Sequence, residues 1–175
     1  MTGSEIQNYI ETRLGRTVSS DDVLEAINEG LDEIGNLADI YGTIDVTVDD
    51  TQQWYSLPSN YTMVKKVVKQ EDDEERLEGW DYRNGTINFD KTGDWRVIAK
   101  KMPTHLTAIG DSFTDLHRLF HNAVKYYALA WIKENDDPDD PTAQRLYQKF
   151  NNKVRRANLT ISSSGSPSPW EVERI

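Results

Sequence analysis

An α+β fold is what this sequence predicts, and three observations carry the prediction. Apolar residues recur with helical spacing up to Tyr41-Gly42, alternate with polar ones through the middle of the chain, and return to helical spacing after Asp111. Turn-forming pairs such as Asp49-Asp50, Pro58-Ser59 and Asn84-Gly85 punctuate the middle stretch at short intervals, so its strands are expected to run antiparallel. The last residues combine a flexible Ser/Gly/Pro run with late apolar side chains. The expected order is two helices, an antiparallel β insertion, two more helices and an extended C-terminal arm.

The first helix rests on Ile6, Tyr9, Ile10 and Leu14, with Ser4 as its cap and Gly15 as its stop. A second begins near Ser19-Ser20-Asp21-Asp22, which supplies cap oxygens and first-turn acids. Its apolar stripe is Val23, Ala26, Ile27, Leu31, Ile34 and Ala38, interrupted by Gly30, which suits close packing against a neighbouring helix. Ile44, Val46 and Val48 then alternate with Asp45 and Thr47, as in a half-buried strand.

Strand character continues at Gln53 to Leu57, Met63 to Lys69, Arg76 to Trp80, Thr86 to Phe89 and Trp95 to Met102, where Pro103 stops it. Asp72 to Glu75 is too charged to bury and is expected to be a solvated turn. That makes five or six strands. A capping box at Asp111-Ser112-Phe113-Thr114-Asp115 is expected to open a long core helix carrying Leu116, Leu119, Phe120, Ala123, Val124, Tyr127 and Trp131. Asn135 to Asp140 breaks it. Asp140 caps a fourth helix with Pro141 at its first position, and Ala143, Leu146, Tyr147, Phe150, Val154 and Ala157 form its buried stripe. Residues 1–42 and 107–160 are expected to form one helical domain, 43–106 the β insertion and 161–175 a flexible arm.

Composition narrows the functional classes. A chain of 175 residues can bury a real core, and five Trp, eight Tyr and four Phe argue against disorder. A net charge of −10 counts against a free-standing nucleic-acid binder, which needs clustered cations; the only local basic cluster is Lys149, Lys153, Arg155 and Arg156. The last three are placed at the carboxyl end of the fourth helix, where its dipole favours cations. Zero Cys excludes disulfides and thiolate chemistry, and is compatible with a reducing cytosol or a virus particle. Met1-Thr2-Gly3-Ser4 lacks a basic and apolar leader, so no signal peptide is expected, and no stretch nears the roughly 20 apolar residues that cross a membrane.

Catalysis finds no foothold. His117 and His121 stand one helical turn apart, a metal-ligand spacing, but Arg118 occupies the place where the zinc-peptidase pattern needs Glu. They read as boundary histidines. Asp136, Asp137, Asp139 and Asp140 lack the Gly and final Glu of a calcium loop. No phosphate loop or nucleophile elbow occurs, so no metal and no cofactor is expected. Trp54, Tyr55, Trp80, Tyr82 and Trp95 could build a sugar-stacking platform, but they suit the sheet's own core better.

The arm points to a partner. Ser162 to Pro169 is flexible or extended by composition, and Trp170, Val172 and Ile175 follow it. Apolar anchors beyond a tether suit docking on another surface. Candidate partner-binding residues are therefore Trp170, Val172 and Ile175, with Lys153, Arg155 and Arg156 beside them.

Ile6 to Ile10, Leu14 to Ser19 and Val23 to Ile34 together resemble the opening of head-to-tail connector (adaptor) proteins of tailed bacteriophages. Tyr55-Ser56-Leu57-Pro58 before a Val/Lys-rich strand, and His121 to Ala130 before an acidic Asp-Pro break, resemble later parts of the same family, so the likeness spans roughly residues 5 to 160. It implies a helical bundle, here a four-helix bundle with an antiparallel β insertion between helices 2 and 3. It implies a ring, commonly twelvefold, beneath the portal protein. That ring would continue the DNA channel without binding DNA specifically, contact neighbouring copies and seat the next tail or stopper protein. Its place would be the virion head-tail junction, and the host cytoplasm during assembly. No enzyme activity is implied. A carbohydrate-binding or small hydrolytic accessory module using the β aromatics is the competing reading. A single-stranded nucleic-acid binder is the third, and the charge opposes it.

Overall fold

The computed structural model describes residues 1–71, 74–76, 78–163 and 173–174. The chain divides into two compact units, one holding the helices and one holding the strands.

In the helical unit, α1 spans Gly3–Leu14 and α2 spans Ser20–Leu37. Thr2, not Ser4, caps α1: its hydroxyl accepts from the Glu5 amide at 3.1 Å, and Glu5 accepts from the Thr2 amide at 2.9 Å. Ser4 lies inside the helix and donates instead to the Ile109 carbonyl. Gly15 ends α1 at φ 68°, returning its N–H to Glu11. Ser19 caps α2, and Val23, Ala26, Ile27, Leu31 and Ile34 are wholly buried along one stripe.

Helix α3 spans His121–Asp136 and α4 spans Pro141–Ser163. The expected start of α3 near Leu116 is five residues too early, because the acids meant to cap it are engaged elsewhere. Asp111 accepts from the Thr107 amide and hydroxyl and from the Ala108 amide, at 2.8–2.9 Å. Asp115 accepts from the amide and hydroxyl of Thr104. Leu116 and Phe120 are buried from a turn, and α3 opens without a side-chain cap.

The four-helix bundle is not what forms. Helix α3 is the centre, packed against α2 and against α4; α4 meets α2 only briefly, and short α1 rests on α2 and α3. Four helices therefore do not share one common core. The reason is visible at Tyr127 on α3, whose ring lies against Gly30 of α2 and 5.1 Å from Phe150 of α4. A large side chain placed between them keeps α2 and α4 on separate sides of α3.

The strand unit has β1 (Tyr41–Val48), β2 (Tyr55–Ser56), β3 (Tyr61–Lys69), β4 (Glu74–Glu75), β5 (Trp80–Arg83), β6 (Thr86–Phe89), β7 (Gly93–Lys101) and β8 (Glu173–Arg174). They make two sheets: a five-stranded β4-β3-β7-β1-β8 and a three-stranded β2-β6-β5. All pairs are antiparallel except β8, which lies parallel to Ile44 and Asp45 of β1. Glu74 and Glu75, expected in a turn, pair with Lys69 and Val68. Asn84 and Gly85, both at positive φ, form the tight β5–β6 turn. The inner faces of both sheets meet in one core, with Ile44, Val97 and Trp95 from one and Ile87 and Phe89 from the other.

Candidate interaction surfaces

Each residue singled out for metal or catalysis has a local structural task. His121 opens α3, with Nε2 3.0 Å from the Leu116 carbonyl and its ring 5.1 Å from Phe113. Burial holds its pKa below the ordinary 6.5. His117 lies in the turn before α3 and takes the Leu119 amide on Nδ1, so the two imidazoles do not share a helix face. His105 bonds Asp32 at 2.8 Å. Among the described residues, no group of three or more His, Asp or Glu is arranged around a common point.

The acidic break between α3 and α4 is equally occupied. Asp136 pairs with Arg16, and Asp137 accepts from the Asp139 amide. Asp140 caps α4 through the Thr142 amide at 2.7 Å and accepts from Lys133 at 3.0 Å. Bonds from Thr142 and the Lys133 ammonium together pull its pKa to about 2.

The β aromatics are mostly core. Trp95 is 2% exposed, sits 4.9 Å from Phe89, and donates its indole N–H to the Lys91 carbonyl. Tyr55 meets Phe89 edge-on, Trp80 donates to the Arg76 carbonyl, and Tyr82 donates to the Thr62 carbonyl. Only Trp54 offers a large exposed face, and the Arg83 guanidinium lies 5.5 Å over its ring.

The remaining exposed features include charge, sheet edge and single apolar side chains such as Leu37, Met63 and Leu159. Lys153, Arg155 and Arg156 are exposed on α4, but the helix continues two turns past them to Ser163, so they are not in its last turn. Trp170, Val172 and Ile175 lie outside the described residues. The neighbouring Glu173 and Arg174 form β8 on the chain's own β1. An open groove of about 400 Å³ runs along α2 past Asp21, Glu25, Asn28, Asp32 and His105. Residue-by-residue reading missed this acidic row and Arg145 on α4; counting charges at helical spacing along each helix would have found both. Among the described residues, no helix is long and apolar enough to cross a membrane.

Comparison with known proteins agrees with the resemblance. No curated protein matches the chain. The family described as SU10 adaptor protein matches residues 1–172, nearly the whole length. The chain therefore belongs to the SU10 adaptor proteins, a phage head-tail adaptor family, and is a structural component of the virion.

Proposed function

We propose that this adaptor assembles as a ring beneath the portal protein, continues the DNA channel and seats the next tail or stopper protein. The family match over residues 1–172 is the observation that carries this reading. The protein acts through surfaces and performs no chemistry of its own. Assembly takes place in the host cytoplasm, and the finished ring stays at the head-tail junction. DNA slides through without specific binding, because a chain of net charge −10 offers phosphates little counterion-release gain. Trp170, Val172 and Ile175 anchor the carboxyl-terminal arm on the portal or a neighbouring subunit, with Lys153, Arg155 and Arg156 contributing charge.

The test is electron microscopy of the purified chain mixed with the portal of the same virus. A ring of added density on the portal supports the reading, and bare portals at saturating protein overturn it. Truncation after Ser164, and Trp170→Ala alone, are expected to weaken that binding; Trp170→Ala should leave the thermal midpoint nearly unchanged, whereas the truncation also removes β8 from β1 and should lower it. An anchoring Trp in a desolvated pocket carries about 2 kcal/mol or more of binding energy.

A further inference from the structure

Every charge on α4 has one sign. The helix carries Arg145, Lys149, Lys153, Arg155 and Arg156 and no Asp or Glu. Every charge on α2 has the other sign: Asp21, Asp22, Glu25, Glu29, Asp32 and Glu33, with no Lys or Arg. Both helices belong to the same unit and pack against α3. The five cations of α4 are exposed, and among the described residues none of them pairs with a carboxylate.

The two rows also match in spacing. Along α4, Arg145, Lys149, Asn152 and Arg156 follow i, i+4, i+7, i+11; along α2, Asp21, Glu25, Asn28 and Asp32 follow the same steps. Each row occupies one helix face and extends about 16 Å at 1.5 Å per residue. Asn28 exchanges two hydrogen bonds with Leu106, which seats the following segment on α2, and His105 from that segment bonds Asp32. The acidic row therefore stands on a fixed helix with a fixed rim.

We infer that the basic row of α4 on one copy docks on the acidic row of α2 on the next copy. This inference rests on the ring reading above and names the contact that would build the ring. A second copy is the occupant that satisfies both rows at once; DNA would cover α4 and leave α2 bare. Copies of net charge −10 repel one another overall, so self-association needs a local patch where opposite charges meet. The contact joins two different patches of identical chains. Such a heterologous contact closes into a ring when its rotation closes, and otherwise gives a filament. Exposed ion pairs are individually weak, so the rows set register and orientation more than affinity. That suits a subunit that assembles on a template.

The absence of Cys gives a clean background for the test. Glu25→Cys and Lys149→Cys chains are mixed under mild oxidation, alone at high concentration and again with the portal. Disulfide dimers in the mixture, absent from either chain by itself, are the expected result. Charge reversal adds a second reading. Arg145→Glu with Lys149→Glu should weaken association by about tenfold or more, as should Asp21→Lys with Glu25→Lys, and mixing the two reversed chains should restore it.

Rings on the portal that form with no mixed disulfide, or that ignore both reversals, overturn this inference and leave the adaptor reading standing. A basic-row reversal that loosens only DNA retention assigns α4 to the channel lumen and likewise overturns it. Loss of portal binding by the reversed α4 chain as a single copy would assign the row to the portal instead. No binding of the unaltered chain to the portal sinks both readings.

Discussion

Gly42 of β1 leaves the space that the ring of Tyr61 on β3 fills: a Cβ there would stand 2.7–2.8 Å from the ring carbons and closer still to the hydroxyl. Tyr61 is 3% exposed, so it reaches across β7 into a position only glycine vacates. Gly42→Ala is therefore expected to cost about 1–3 kcal/mol through overpacking. Urea unfolding followed by circular dichroism would read it as a lower midpoint with an unchanged slope. An unmoved midpoint would mean that Tyr61 gives way without strain.

The tryptophans separate core from surface. Trp95→Ala removes a buried indole packed on Phe89 and is expected to cost about 3–5 kcal/mol. Trp54→Ala, on a side chain 40% exposed, should stay within about 1 kcal/mol. If glycan arrays show sugar binding that Trp54→Ala abolishes, the β unit is a carbohydrate platform after all.

His121 gives stability a pH dependence. Its folded pKa lies below 6.5 because burial disfavours the imidazolium, so the unfolded chain binds the proton more readily. The contribution is full above 6.5 and is lost as pH falls from there through the lowered folded value. Between about pH 8 and about pH 5, on either side of the ordinary histidine value of about 6.5, thermal midpoints should fall more steeply for the parent chain than for His121→Gln.

Asp140 works in the opposite sense at acid pH. Its carboxylate, held at about 2 by Thr142 and Lys133, stabilises the fold above the ordinary 3.8, and that contribution disappears as pH falls through the lowered value. At neutral pH the midpoints should rank parent, then Asp140→Asn, then Asp140→Ala, since Asn keeps the cap but loses the charge facing Lys133. Identical midpoints for Asn and Ala would show that the cap contributes nothing.

Much of the local structure was legible because it depends on near neighbours. The stripe from Val23 to Ala38, the alternation Ile44-Val46-Val48, the Asn84-Gly85 turn and Pro141 behind Asp140 are all short-range patterns, and each forms where its period or turn chemistry dictates. The mixed α+β class follows from the change of period. The family was legible too, because its motifs are ordered runs of the same kind.

Tertiary structure decided the rest, because the deciding partners lie far apart in sequence. Asp115 is spent on Thr104 and Ser4 on Ile109, which moved one helix start and one cap. Tyr127 stands between Gly30 and Phe150, so α3 became a divider and no four-helix core closed. Strands β3 and β7 pair across more than twenty intervening residues, and which strands share a sheet depends on side chains meeting in a common core. Helical periodicity fixes which face of α2 or α4 is polar. Only the packing of both on α3 leaves the two charged rows on the surface of one unit.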